Sequence, residues 1–168
     1  MKYLTEKYWT NFKKDGVLFE KLVNNLLCSI YPNQEFFATK QTHDGGKDIV
    51  SEDELLFGEN ISLWMECKYH KEKISVHDIS TTLLMAYLED AKQLVVFSYS
   101  KINKTFLEYM AKYKERTKID VKVFHDESLE QLIISNINNI DFEEYFPNFI
   151  YDVTTVSYTH LRAHETRR

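Results

Sequence analysis

The chain has 168 residues, 43% of them hydrophobic, with only 4 Gly and 2 Pro; that suits one packed domain and excludes a low-complexity or disordered chain. Cys28 and Cys67 stand far apart, which excludes a disulfide scaffold and a CxxC metal pair and points to a reducing compartment. No apolar signal core opens the chain and no apolar run approaches the about 18 residues of a membrane span, so a soluble, cytoplasmic protein without membrane contact is expected; at a net charge of −5, attraction for a polyanion must come from local clusters.

Residues 1–14 read as a lead-in. A helix is expected over 15–31, opened by Asp15. Leu18, Phe19, Leu22, Val23, Leu26, Leu27 and Ile30 recur there at helical spacing, and Pro32 stops it. A short strand over 35–40 follows, then a turn over 42–46 and a second strand over 47–51. An acidic, Gly-containing connection leads to a third strand over 61–68. Its alternation predicts Ile61, Leu63, Met65 and Cys67 on a core face and Ser62, Trp64, Glu66 and Lys68 on the other. Ser75 and Asp78 form a capping box, and the helix they open is expected to turn Val76, Ile79, Leu83 and Tyr87 to one side. The apolar run of 93–98 suits a buried strand. A helix over 104–115, a strand over 120–124 and a helix over 127–136 come next, and 142–150 is rich in aromatics. The order α-β-β-β-α-β-α-β predicts an α/β fold, a mixed β-sheet flanked by helices.

The segment 156–168 breaks this pattern. Residues 156–166 back-translate to a transposase-type sequencing adapter, so a non-native tail is expected there and the natural protein is expected to run on past 155. The pair His160 and His164, at i, i+4 spacing, is therefore set aside as a metal site. The division expected is 1–14 lead-in, 15–138 catalytic domain, 139–155 linker or start of a further domain, and 156–168 tail.

Three residues carry the chemistry. Asp48 lies on the second strand, and Glu66 and Lys68, two apart on the third, point the same way. If these strands form a hairpin, two carboxylates meet at one strand edge. Hard oxygens of this kind suit Mg²⁺, with the Cys67 backbone carbonyl as a third donor. A cation so held acidifies water and takes up charge on a phosphate, while Lys68 orients the attacking water.

In these residues the chain resembles the PD-(D/E)xK nuclease superfamily and, within it, the Mrr-like restriction endonucleases. The matching residues are Phe19-Glu20 on the first helix, Asp44-Gly45-Gly46-Lys47-Asp48, Glu66-Cys67-Lys68, and the strand Leu94-Val95-Val96-Phe97-Ser98, over about 15–135. One departure is that this group often carries Gln where Glu66 stands, although Glu is the superfamily's more usual ligand. The resemblance implies a restriction-endonuclease-like fold and a Mg²⁺-dependent DNA endonuclease, with Mn²⁺ able to substitute. It implies Asp48, Glu66 and Cys67 at the metal, Lys68 as the catalytic cation and Glu20 in support. It also implies a role in DNA restriction and antiviral defence, DNA as partner, and room for a homodimer and for an NTPase or sensor domain beyond 155. A catalytically inactive DNA-binding or interaction module on the same fold is the alternative, and a junction-resolving or RNA-directed nuclease a third reading.

Each residue also has a plainer reading. Asp48 alone is a turn-flanking carboxylate, Glu66 and Lys68 alone an exposed strand face, and Glu20 a solvated helix residue. His43, His70 and His77 lack ligand spacing. Trp64 reads as packing and Cys67 as a small buried hydrophobe. Lys101, Lys104, Lys112, Lys114, Arg116 and Lys118 read as a solvated helix face before a phosphate patch.

Overall fold

A computed structural model describes residues 4–13, 16–38, 48–51, 55–56, 59–60, 63–69 and 73–150. Helix α1 (Gly16–Ile30) buries Phe19, Leu22, Val23, Leu26 and Leu27, the stripe read from the sequence. Strands β1 (Phe36–Ala38) and β2 (Ile49–Ser51) pair antiparallel, and β2 pairs antiparallel with β5 (Leu63–Lys68). The acidic connection holds a separate small hairpin, β3 (Leu55–Leu56) with β4 (Glu59–Asn60). Beyond β5, the strands β6 (Gln93–Ser98) and β7 (Asp120–His125) continue the sheet in parallel, giving the order β1-β2-β5-β6-β7.

Helix α2 (Ser80–Leu88) links β5 to β6, and α3 (Lys104–Thr117) links β6 to β7. Asn103 opens α3 by accepting the Phe106 amide at 2.7 Å, and Lys118 closes it in the left-handed region with φ 64°. Helix α4 (Asp126–Ser135) and the short α5 (Phe142–Tyr145) follow. The expected α/β order and the mixed sheet flanked by helices are thus both present.

Two cores sandwich the sheet. Met65, Cys67, Val95 and Phe97 face α1 and α4, whereas Trp64, Leu94 and Val96 face α2 and α3. This is the two-residue period of a strand read on both sides. The expectation of one core face for β5 is corrected accordingly: Trp64 is fully buried and Glu66 is 2% exposed. A strand between two others, with helices over both faces, has no solvent side.

The inward stripe of α2 also differs from the reading. Ile79, Thr82, Leu83 and Ala86 are buried, while Tyr87 is exposed. The Ser75 box does form, with the Asp78 carboxylate accepting from the Ser75 amide at 2.6 Å and hydroxyl at 2.7 Å. It opens a 3-10 turn (Val76–Ile79) ahead of α2, however, and three residues per turn shift the stripe relative to an α-helix running from 76.

The packed core extends on both sides of 15–138. A 3-10 turn (Tyr8–Lys13) places Trp9 and Phe12 in the α1-side core, and the Leu4 amide donates to buried Glu130 of α4 at 2.5 Å. At the other end Phe142, Tyr145, Phe146 and Phe149 join the same core. The 42–46 turn, His43, His70 and the 156–168 tail lie outside the described residues.

Candidate active site

Strand pairing builds the site. Ile49 sits opposite Met65, so Asp48, one step back, falls opposite Glu66. The Asp48 amide donates to the Met65 carbonyl at 3.2 Å, and the Cys67 amide donates to Asp48 Oδ2 at 2.6 Å. Asp48 is thereby pinned against the backbone of β5. Glu66 and Lys68 share one face of that strand, where Lys68 Nζ forms an ion pair with Glu66 Oε1. The other carboxylate oxygen, Oε2, accepts from the Thr82 hydroxyl of α2 at 2.8 Å.

The charges are coupled. Burial, then the neighbouring Asp48 charge, raises Glu66 above its ordinary range, against the opposing pull of Lys68 and Thr82. Burial works against a charged Lys68, but its hydrogen bond with Glu66 and the charges of Glu66 and Asp48 outweigh this, and the net shift is upward. Lys68 is therefore an ammonium at neutral pH. Burial drives the Cys67 thiol well up, helped by Asp48, Glu20 and Glu66, so this side chain is no nucleophile.

Asp48, Glu66 and Lys68 thus come together. Glu20 stands to one side on α1, its charge felt at Cys67, whose side chain lies in the α1-side core. Among the described residues no group of three or more His, Cys, Asp or Glu converges as a metal set. The two carboxylates do fit a hard divalent cation with a backbone carbonyl, because they offer oxygen donors only and because burial, then the Asp48 charge, raises Glu66. Trp64 is buried in the α2-side core. His77 is exposed, and Lys114 and Lys104 pair with Asp120 and Glu108, as a solvated helix face would.

A family model for restriction endonucleases, Mrr_cat, matches residues 13–133. The chain belongs to this Mrr-type restriction endonuclease family. It is accordingly a nuclease domain, a hydrolase of phosphodiester bonds, and DNA is its substrate class. No curated protein matches the chain. No described helix is long and apolar enough to cross a membrane.

Two features around the candidate site lie beyond the sequence motifs. One is Thr82, whose only signal was a polar residue inside the apolar pattern of α2. The other is an aromatic stack at the end of β5. Trp9 stacks on Tyr99 at 4.2 Å, Tyr99 stacks on Tyr69 at 5.1 Å, and the Tyr69 hydroxyl donates to the Trp9 carbonyl at 2.7 Å. Burial, then Tyr99 and Glu6, pushes Tyr69 up to about 12. Lys68 is thus followed directly by a fixed residue.

Proposed function

We propose that this chain is a Mg²⁺-dependent DNA endonuclease with Asp48, Glu66 and Lys68 as its centre, and that Mn²⁺ substitutes. The observation that carries the proposal is the meeting of two carboxylates from adjacent strands beside a protonated lysine. Asp48, Glu66 and the Cys67 carbonyl would hold the cation. When bound, the cation lowers the pKa of water and takes up charge on the scissile phosphate. Lys68 enters the reaction as an ammonium, so its role is to orient the attacking water and to balance charge on the phosphate, not to accept the proton. Asp48 is held for its role at the cation by the Cys67 amide. Glu20 supports the site from α1.

The biological setting proposed is cytoplasmic DNA restriction in antiviral defence. The nuclease acts there as part of a longer protein, with an NTPase or sensor domain after 155, and as a homodimer on duplex DNA. The domain is proposed to span 15–138 with its flanking segments packed on it.

Asp48→Ala and Glu66→Ala should each abolish plasmid cleavage while the fold persists. Ala is chosen at 66 because the family often carries Gln there, and an amide oxygen can still serve a hard cation. Cleavage is read on supercoiled plasmid with Mg²⁺ and with EDTA, beside circular dichroism. Undiminished cutting by a folded double variant would place the centre elsewhere, and no cutting by the native protein would favour the inactive DNA-binding module.

A further inference from the structure

The inward face of α2 is apolar at Ile79, Leu83 and Ala86, and Thr82 is its polar exception at 5% exposure. A hydroxyl on a packed face must find a partner or cost stability. Thr82 finds one across the α2–β5 packing, donating to Glu66 Oε2 at 2.8 Å. The two carboxylate oxygens of Glu66 are thereby told apart: Oε2 is tied to α2, and Oε1 is turned to Lys68. Three side-chain torsions separate a glutamate carboxylate from its backbone, and the strand alone does not fix them. A helix-borne donor does, because α2 itself is locked by Leu83 and Ala86 in the core.

We propose that Thr82 is a positioning residue for the catalytic carboxylate: its hydroxyl holds Glu66 Oε2 so that Oε1 is presented, in a fixed plane, to a divalent cation and to Lys68. This rests on the reading of Glu66 as a metal ligand. Thr82 does not itself touch metal or DNA. It acts through Glu66, as outer partners of metal ligands do in general. A valine at 82 fills nearly the same space and offers no donor, while a serine keeps the donor and loses a methyl.

The test is calorimetric Mn²⁺ binding to the whole chain without DNA, so that the readout is separate from cleavage. Native protein, Thr82→Val, Thr82→Ser and Glu66→Ala are compared, each with its melting curve; Thr82→Ala replaces the valine variant if that one does not fold. The donor-free variant should bind Mn²⁺ roughly 10–100-fold more weakly, and Thr82→Ser should bind close to native. Native affinity in the donor-free variant overturns the proposal, provided that Glu66→Ala has lost affinity. Equal loss in the serine and valine variants also overturns it, because packing of the methyl would then be the cause. Native affinity in Glu66→Ala removes Glu66 as a ligand, and the role of Thr82 falls with it.

Discussion

Burial and three neighbouring groups decide the charge of Glu66. Burial and Asp48 oppose its ionisation, and Lys68 and Thr82 favour it. In the metal-free protein the balance leaves its pKa above the ordinary 4.5. The sign of the linkage follows. As pH rises past the ordinary value, the unfolded chain gives up this proton first, while the folded chain still holds it. Stability from this group is therefore full below that pH and falls as pH rises through the folded value. Urea midpoints in EDTA should show this. The native protein should lose stability relative to Glu66→Gln as pH climbs above 4.5. A gap between the two that does not move with pH would mean that Glu66 is not perturbed by its surroundings. At this scale the sequence was informative about identity and silent about environment. The spacing of Glu66 and Lys68 put them on one side of a strand. That the side is buried, and that Thr82 waits there 16 positions away, depends on how α2 packs, which no local pattern encodes.

Elements with a strong internal period were legible. The stripe of α1 and the buried run of β6 declare themselves through residues that pack along a single face or on two faces. The pairing of β2 with β5, which the site needs, was legible only as a condition, because the Gly45-Gly46 turn precedes β2 and the long acidic connection after β2 sets no register by itself. Elements whose stability comes from distant partners were not. The 3-10 turn Tyr8–Lys13 has no helical repeat to betray it, and its place is fixed by Trp9, which packs on Tyr99, Phe12 and Phe146. Trp9 also donates from Nε1 to the Leu4 carbonyl at 3.3 Å. We expect Trp9→Ala to cost about 3–5 kcal/mol, the range for removing a large buried aromatic. Chemical denaturation measures it directly. A loss under about 1 kcal/mol, the usual size for a surface change, would show that this turn is only laid on the surface. The α2 stripe was misplaced for a related reason: the capping box was correctly found, but the turn it opens is 3-10, and one tighter turn moves every later side chain around the axis.

At the scale of the whole molecule, the sheet order explains why chemistry sits where it does. β5 is held between β2 and β6, so Asp48 is brought to it from one neighbour while the parallel strands and their helices bury its other side. The site is therefore built on an interior strand, with α2 supplying Thr82 and the Trp9–Tyr99–Tyr69 stack closing the strand's C-terminal end. A net charge of −5 on the chain is compatible with a nuclease domain, because attraction to DNA depends on where charges lie and not on their sum. Lys68 is the residue on which the catalytic account turns, since it is the one group of the three that a metal-binding site alone would not require. The decisive measurement is single-turnover DNA cleavage in Mg²⁺ by native protein and Lys68→Ala, with Mn²⁺ affinity measured on both. The account predicts that the variant keeps its metal, because an ammonium is not a ligand, and loses on the order of 10²–10⁴-fold in rate. Cleavage at the native rate by Lys68→Ala would contradict it.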